Sequence, residues 1–264
     1  MRRLLTLICL CLPFLNATAQ ADWDFLAQAA SQQAQINGAG GGGGTDINAG
    51  LAAWWPLDDG TGTTATNGVS GSPSITSLTL HTWQAGQFGN SLNWTNTDTR
   101  TYGTGVNPSI GGKTVARFSV WMRRAASSDK PYWALVANDA TSLLGVAISW
   151  QNDDAVRISF TNGQNVAFTL LSSTVNTWEN IIWTYNAGAG GTHTNWVRGY
   201  LNGTPQNMTF TGTVPPNIHA DATNSYPCRN PVGGSYYIGQ LDSFRIWTNI
   251  AIGADVISSL QTNQ

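Results

Sequence analysis

The sequence predicts an all-β fold, a sandwich of two antiparallel sheets, and three observations point to it. From about residue 48 onward, short runs of β-branched and aromatic residues alternate with clusters of Gly, Asn, Asp, Thr and Pro. Several runs have period two: Phe118, Val120 and Met122 face one way and Arg117, Ser119, Trp121 and Arg123 the other, while Val156, Ile158 and Phe160 oppose Arg157 and Ser159. Such alternation marks antiparallel sheets. Finally, 41% hydrophobic residues, with 12 Trp, 7 Tyr and 8 Phe in 264 residues, are enough for a sizeable core.

Residues 1–19 have the three parts of a secretory signal: Arg2 and Arg3, an apolar run from Leu4 to Leu15, and the small-residue site Ala17-Thr18-Ala19. The expected location is therefore secreted, extracellular or at the cell surface. No later stretch has the length of a membrane span. Cys9 and Cys11 fall inside this signal, so Cys228 stands alone in the mature chain, either buried or open to pairing with another molecule. Residues 20–37 read as a short helical arm: Asp22 and Asp24 suit a helix N-terminus, and the Ala and Gln that follow favour the helical state. Residues 38–47 form a glycine linker, and 48–264 the β domain.

Within that domain the expected strands are 51–57, 75–80, 91–94, 116–123, 133–137, 144–150, 156–160, 166–170, 179–185, 196–201, 236–238 and 241–247, with a short helix at 254–260. A dozen short strands separated by turn signals imply a sandwich or barrel.

Charged residues make up only 10% of the chain and the net charge is -2. That leaves no electrostatic footprint for nucleic acid or an anionic membrane. Glu179 is the only glutamate, and Asp153-Asp154 are adjacent, so neither forms the pair of facing carboxyl groups that glycoside hydrolysis uses. His81, His193 and His219 are far apart, and neither zinc spacing nor a serine nucleophile elbow is present. Catalysis is not expected.

Six blocks carry a resemblance: LAAWWPLDDGTGTTATN (51–67), GQFGNSLNW (86–94), FSVWMRR (118–124), TWENIIWTYN (177–186), VRGYLNG (197–203) and YIGQLDSFRIWTNIAI (237–252). In this order they resemble the laminin-G-like branch of the concanavalin A-like lectin/glucanase superfamily. The resemblance implies a jelly-roll sandwich with one concave sheet. It also implies a structural calcium ion where the first strand's end meets the closing strand, at Asp58 and Asp242, with Asp59 replacing or assisting Asp58. Calcium takes six to eight oxygens, which two carboxylates, carbonyls and water can supply. The same residues also suit a plain Asp-Asp-Gly turn and a strand-start acceptor.

A sugar-binding platform pairs a flat aromatic ring with placed polar groups. Strand parity puts Trp121 beside Arg123, opposite an apolar face, and Tyr200 beside Arg198; Trp133 and Trp196 border loops at a rim. These six residues are the expected ligand contacts. The expected function is a secreted, non-catalytic, lectin-like recognition or adhesion domain for an extracellular glycan or surface protein. The alternative is a structural or surface-assembly protein that makes protein contacts, including self-association, through the sandwich and the N-terminal arm.

Overall fold

The computed structural model describes residues 47–76, 78, 81–94, 105–106, 110–126, 129, 131–136, 145–150, 155–160, 164–169, 175–219, 224–227, 238–249, 257 and 260. The expected signal, arm and glycines 38–44, together with Cys228, lie outside these residues. Among the described residues the strands are β1 (Leu51–Trp55), β2 (His81–Ala85), β3 (Asn90–Trp94), β4 (Gly105–Val106), β5 (Val115–Arg123), β6 (Tyr132–Val136), β7 (Gly145–Trp150) and β8 (Ala155–Phe160). They continue with β9 (Gln164–Thr169), β10 (Glu179–Asn186), β11 (Val197–Leu201), β12 (Thr204–Pro205), β13 (Thr209–Thr211), β14 (Asn224–Pro227) and β15 (Gly239–Thr248). Two 3-10 turns, Ala187–Ala189 and His193–Asn195, lie between β10 and β11.

These strands form two antiparallel sheets. One runs β12-β11-β10-β5-β15-β3-β2, with β1 also paired to β15; the other runs β13-β9-β8-β7-β6-β14-β4. This is the two-sheet sandwich that the alternation predicted. The expected boundaries hold to within a residue or two for most strands. The polar strand β2 and the short β4, β12, β13 and β14 were not expected, because they lack the alternation that marks a strand from sequence. Of the strand expected at 75–80, only residues 75, 76 and 78 are described: Ile75 and Thr76 are bridge residues, Ile75 pairing with Ala65.

Parity explains the core. Register sets Phe118 opposite Trp183, Val120 opposite Ile181 and Ala116 opposite Tyr185, all on the inner face of the eight-stranded sheet. The facing sheet supplies Val146, Ile148, Val156, Ile158, Phe160, Val166 and Phe168, all buried. Ring pairs join the layers: Phe168 lies 5.2 Å from Trp183 and Phe160 lies 5.3 Å from Tyr185. Gly199 is required beside them, since a Cβ there would come within 2.9 Å of both the Phe168 and Trp183 rings.

The outer face of the eight-stranded sheet is buried too. Register aligns Arg117, Ser119 and Trp121 with Thr184, Ile182 and Asn180 on one side and with Trp247, Arg245 and Asp242 on the other. A second apolar cluster of Ile182, Tyr200, Trp247, Ile257 and Leu260 covers part of it, with Ile47 and Leu51 packed against it. The Trp247 indole donates to the Ile47 carbonyl at 2.9 Å.

Replacing a large, fully buried aromatic removes both its transfer free energy and its packing partners. Trp183→Ala is expected to cost roughly 3–5 kcal/mol. Trp83→Ala, at a half-buried position on edge strand β2, is expected to cost less than about 2 kcal/mol. Urea unfolding of the two variants checks the order.

Candidate functional site

One edge of β15 is shared by two strands. Residues Gly239 to Leu241 pair with β3, whereas Phe244 to Trp247 pair with β1. A seam opens between these partners, and Asp242 and Ser243 lie in it. The chain adapts with left-handed backbone at Ser243 (φ 46) and at Leu57 (φ 66), just beyond β1. A register shift between Asp242 and Arg245 marks a β-bulge. The Ser243 N–H bridges the seam to the Pro56 carbonyl at 3.2 Å.

Two acids converge here, held by the turn joining β2 to β3. Asp58 Oδ1 accepts from the Asn90 N–H at 2.6 Å, and the Asp58 carbonyl accepts from Asn90 Nδ2 at 3.2 Å. Asp242 Oδ2 accepts from the Phe88 N–H at 3.0 Å. Glycines let the turn come this close. A Cβ at Gly86 would lie 2.5 Å from both Asp242 Oδ2 and the Asn90 carbonyl, and one at Gly89 (φ +52) would collide with the Asp58 carboxylate.

Asp242 is fully buried, and its Oδ1 has no hydrogen-bond partner. Burial pushes its carboxyl up to about 7; the Phe88 N–H pulls the other way and the Asp58 charge adds to the rise. Among the described residues no three His, Cys, Asp or Glu side chains gather to hold a metal. The donors here are two carboxylates and nearby carbonyls, hard oxygens of the kind calcium takes. A fully buried carboxylate with one orphaned oxygen, Asp242 Oδ1, fits such an ion. Asp59 does not join them: its carboxylate accepts from the Thr66 N–H at 3.0 Å and Thr66 Oγ1 at 2.5 Å, tying back its own exposed turn.

The residues expected to form an aromatic platform take different positions. Trp121 is 5% exposed and Tyr200 6%, so the open platform inferred from parity is not formed. Parity placed both off the core face, but the Phe88 ring stands edge-on to Trp121 at 5.6 Å, and Tyr200 lies within the second apolar cluster. Arg123 is half-buried, with its Nη1 donating to Gln240 Oε1 at 2.7 Å and its Nη2 to Asn176 Oδ1 at 3.3 Å. Trp196 and Arg198 are also half-buried. The Trp196 Nε1 donates to the Gly190 carbonyl at 3.2 Å, and Arg198 Nη1 donates to the carbonyls of Thr194 and Val197. Trp133 is on β6, in register with Ile148 and Pro227. Sequence reasoning missed Gly86, Phe88, Gly89, Asn90 and Ser243 as parts of the site. The glycine-framed turn GQFGN was the one available signal.

Comparison with known proteins adds the following. A family model described as the concanavalin A-like lectin/glucanases superfamily matches residues 107–258. No curated protein matches the chain. Among solved structures, domain 4 of an extracellular GH43 arabinanase from Geobacillus stearothermophilus, in complex with arabinotriose, is similar with a TM-score of 0.54 and 14% identity, covering 80% of this chain and 98% of that domain. The binding domain of Paraclostridial mosquitocidal protein 1 has a TM-score of 0.55 and 15% identity, over 82% of this chain and 52% of that one. A Trypanosoma rangeli sialidase in complex with 2,3-difluorosialic acid has a TM-score of 0.57 and 12% identity, over 92% of this chain and 38% of the sialidase. The chain thus spans about half or less of the last two, and at such identities the likeness is one of fold.

The Asp242 carboxyl yields a pH prediction. Its folded value, about 7, lies above the roughly 3.9 of an unfolded Asp. The folded state therefore holds the proton more tightly, and this contribution to stability is full below about pH 4 and lost as pH rises through about 7. In chelator, the melting temperature of Asp242→Asn relative to the wild type is expected to be higher at pH 8 than at pH 5. Parallel melting curves at the two pH values would contradict this.

Proposed function

The chain belongs to the concanavalin A-like lectin/glucanase superfamily, and we propose that it is an exported, non-catalytic carbohydrate-recognition domain with a structural calcium site at Asp58 and Asp242. The observation that carries the non-catalytic reading is the state of the five described carboxyl groups. Asp58 and Asp242 accept from the β2–β3 turn, Asp59 from Thr66, Asp129 from the Ala125 and Ala126 N–H groups, and Glu179 from Asn202. A glycosidase instead keeps two carboxyl groups free to flank the scissile bond. Each acid here serves local structure, which favours binding without cleavage.

The carbohydrate reading draws on the arabinotriose-bound domain, nearly all of which this chain covers. Within the chain it draws on Trp196 and Arg198, which keep part of their surface open next to a 3-10 turn. Their hydrogen bonds to loop carbonyls fix both side chains before any ligand arrives, which lowers the ordering cost of binding. Export is supported by the signal pattern of residues 1–19. When bound, calcium would supply the divalent charge that the Asp58 and Asp242 carboxylates lack. Those carboxylates, together with the turn that Gly86 and Gly89 let close on them, would position its oxygen donors.

Affinity electrophoresis of the purified chain through gels containing arabinan or other soluble polysaccharides tests the binding. Retardation by at least one polymer, reduced about tenfold in affinity by Trp196→Ala, is expected. Release of reducing sugar, or free migration in every gel, would overturn the reading. Calcium at 100 times its dissociation constant is expected to stabilise the chain by about 2.7 kcal/mol. Equal melting temperatures in calcium and chelator would rule out the ion.

A further inference from the structure

The bulge at Ser243 has a chemical consequence for the seam. On a regular strand, residues three apart face opposite sides. Here Asp242 is in register with Trp121 and Arg245 with Ser119, two residues apart on β5. The extra residue on β15 therefore turns Arg245 onto the outer face, the side that carries Asp242.

Arg245 is 1% exposed, and none of its three guanidinium nitrogens has a hydrogen-bond partner. Its guanidinium stacks over the Trp54 ring, 4.8 Å from the centroid. That ring is in turn held by its Nε1 donating to Ser243 Oγ at 3.3 Å and by the close backbone of Gly68. Burial lowers the guanidinium to about 10, and the Asp242 charge opposes the fall, so Arg245 stays positive at neutral pH. A buried charge needs compensation. Here an unsatisfied cation and an unsatisfied carboxylate oxygen share one face, and a single bulge put them there.

We propose that Arg245 is the built-in counter-charge of Asp242, and that it competes with a divalent cation for this carboxylate and so sets the affinity of the site. The proposal rests on the calcium reading above. Arg245 does not ligate the ion; it acts on it by its charge and by its hold on Asp242. A cation entering the seam must displace the attraction between Asp242 and the guanidinium and bear its repulsion. The site would then be weak, filling only where calcium is abundant. Repulsion scales with ionic charge, so removing it should help a trivalent ion more than a divalent one.

Isothermal titration of the full chain with calcium and, separately, with terbium provides the test. Arg245→Met keeps an apolar stem on Trp54 without the charge, and it is expected to tighten calcium about tenfold and terbium about thirtyfold. Arg245→Lys retains the charge and is expected to stay within about threefold of the wild type for both ions. Should the Met variant not fold, Arg245→Gln replaces it with the same expectation. Equal calcium affinities in the wild type and the neutral variant would overturn the proposal while leaving the ion site standing. Equal gains for the two ions would also overturn it, since a purely structural effect does not scale with charge. Absence of binding to every variant would overturn both the ion site and the proposal.

Discussion

The edge shared by β1 and β3 along β15 governs much of what is distinctive in this molecule. Two strands cannot abut end to end on one neighbour without a break in the ladder, and that break must be absorbed somewhere. β15 absorbs it with a bulge, β1 by turning at Leu57, and the β2–β3 turn by folding back over the gap. The Asn90 and Phe88 N–H groups of that turn then need partners, and Asp58 and Asp242 accept them. The carboxylates thus gather for a reason of topology, and a chemical opportunity follows from it.

The polarity of the sheet's outer face has the same origin. A strand buried on both sides cannot keep polar residues wet, and β5 carries Arg117, Ser119 and Trp121 on the side away from the core. Burial lowers the Arg117 guanidinium to about 10, with the nearby Tyr200 opposing the shift. Arg124 resolves a similar problem by stacking over Trp150 at 4.2 Å. Planar guanidinium groups lie flat on indole rings and are less strongly hydrated than ammonium groups. Tryptophan and arginine therefore occur together in these layers, Trp150 with Arg124 and Trp54 with Arg245.

What the sequence revealed and what it hid divide along physical lines. Alternation is a local property, so the inner faces of β5 and β8 were legible residue by residue from Phe118, Val120, Met122, Val156, Ile158 and Phe160. Exposure is not local. Whether Trp121 and Tyr200 lie open depends on Phe88, Ile257 and Leu260, which come from distant parts of the chain. The choice between Asp58 and Asp59 was likewise invisible, because it turns on which of two adjacent carboxylates meets Asn90 and which meets Thr66. The bulge escaped notice because Ser243, and not a glycine, adopts the left-handed conformation.

Ile47, Ile257 and Leu260 meet in the same small cluster against β10, β11 and β15. Both ends of the described domain are therefore moored on one side of the molecule. The seven-stranded sheet is turned away from that side. Its polar strand faces, carrying Arg157, Ser159 and Asn165, are left on the opposite surface of the molecule.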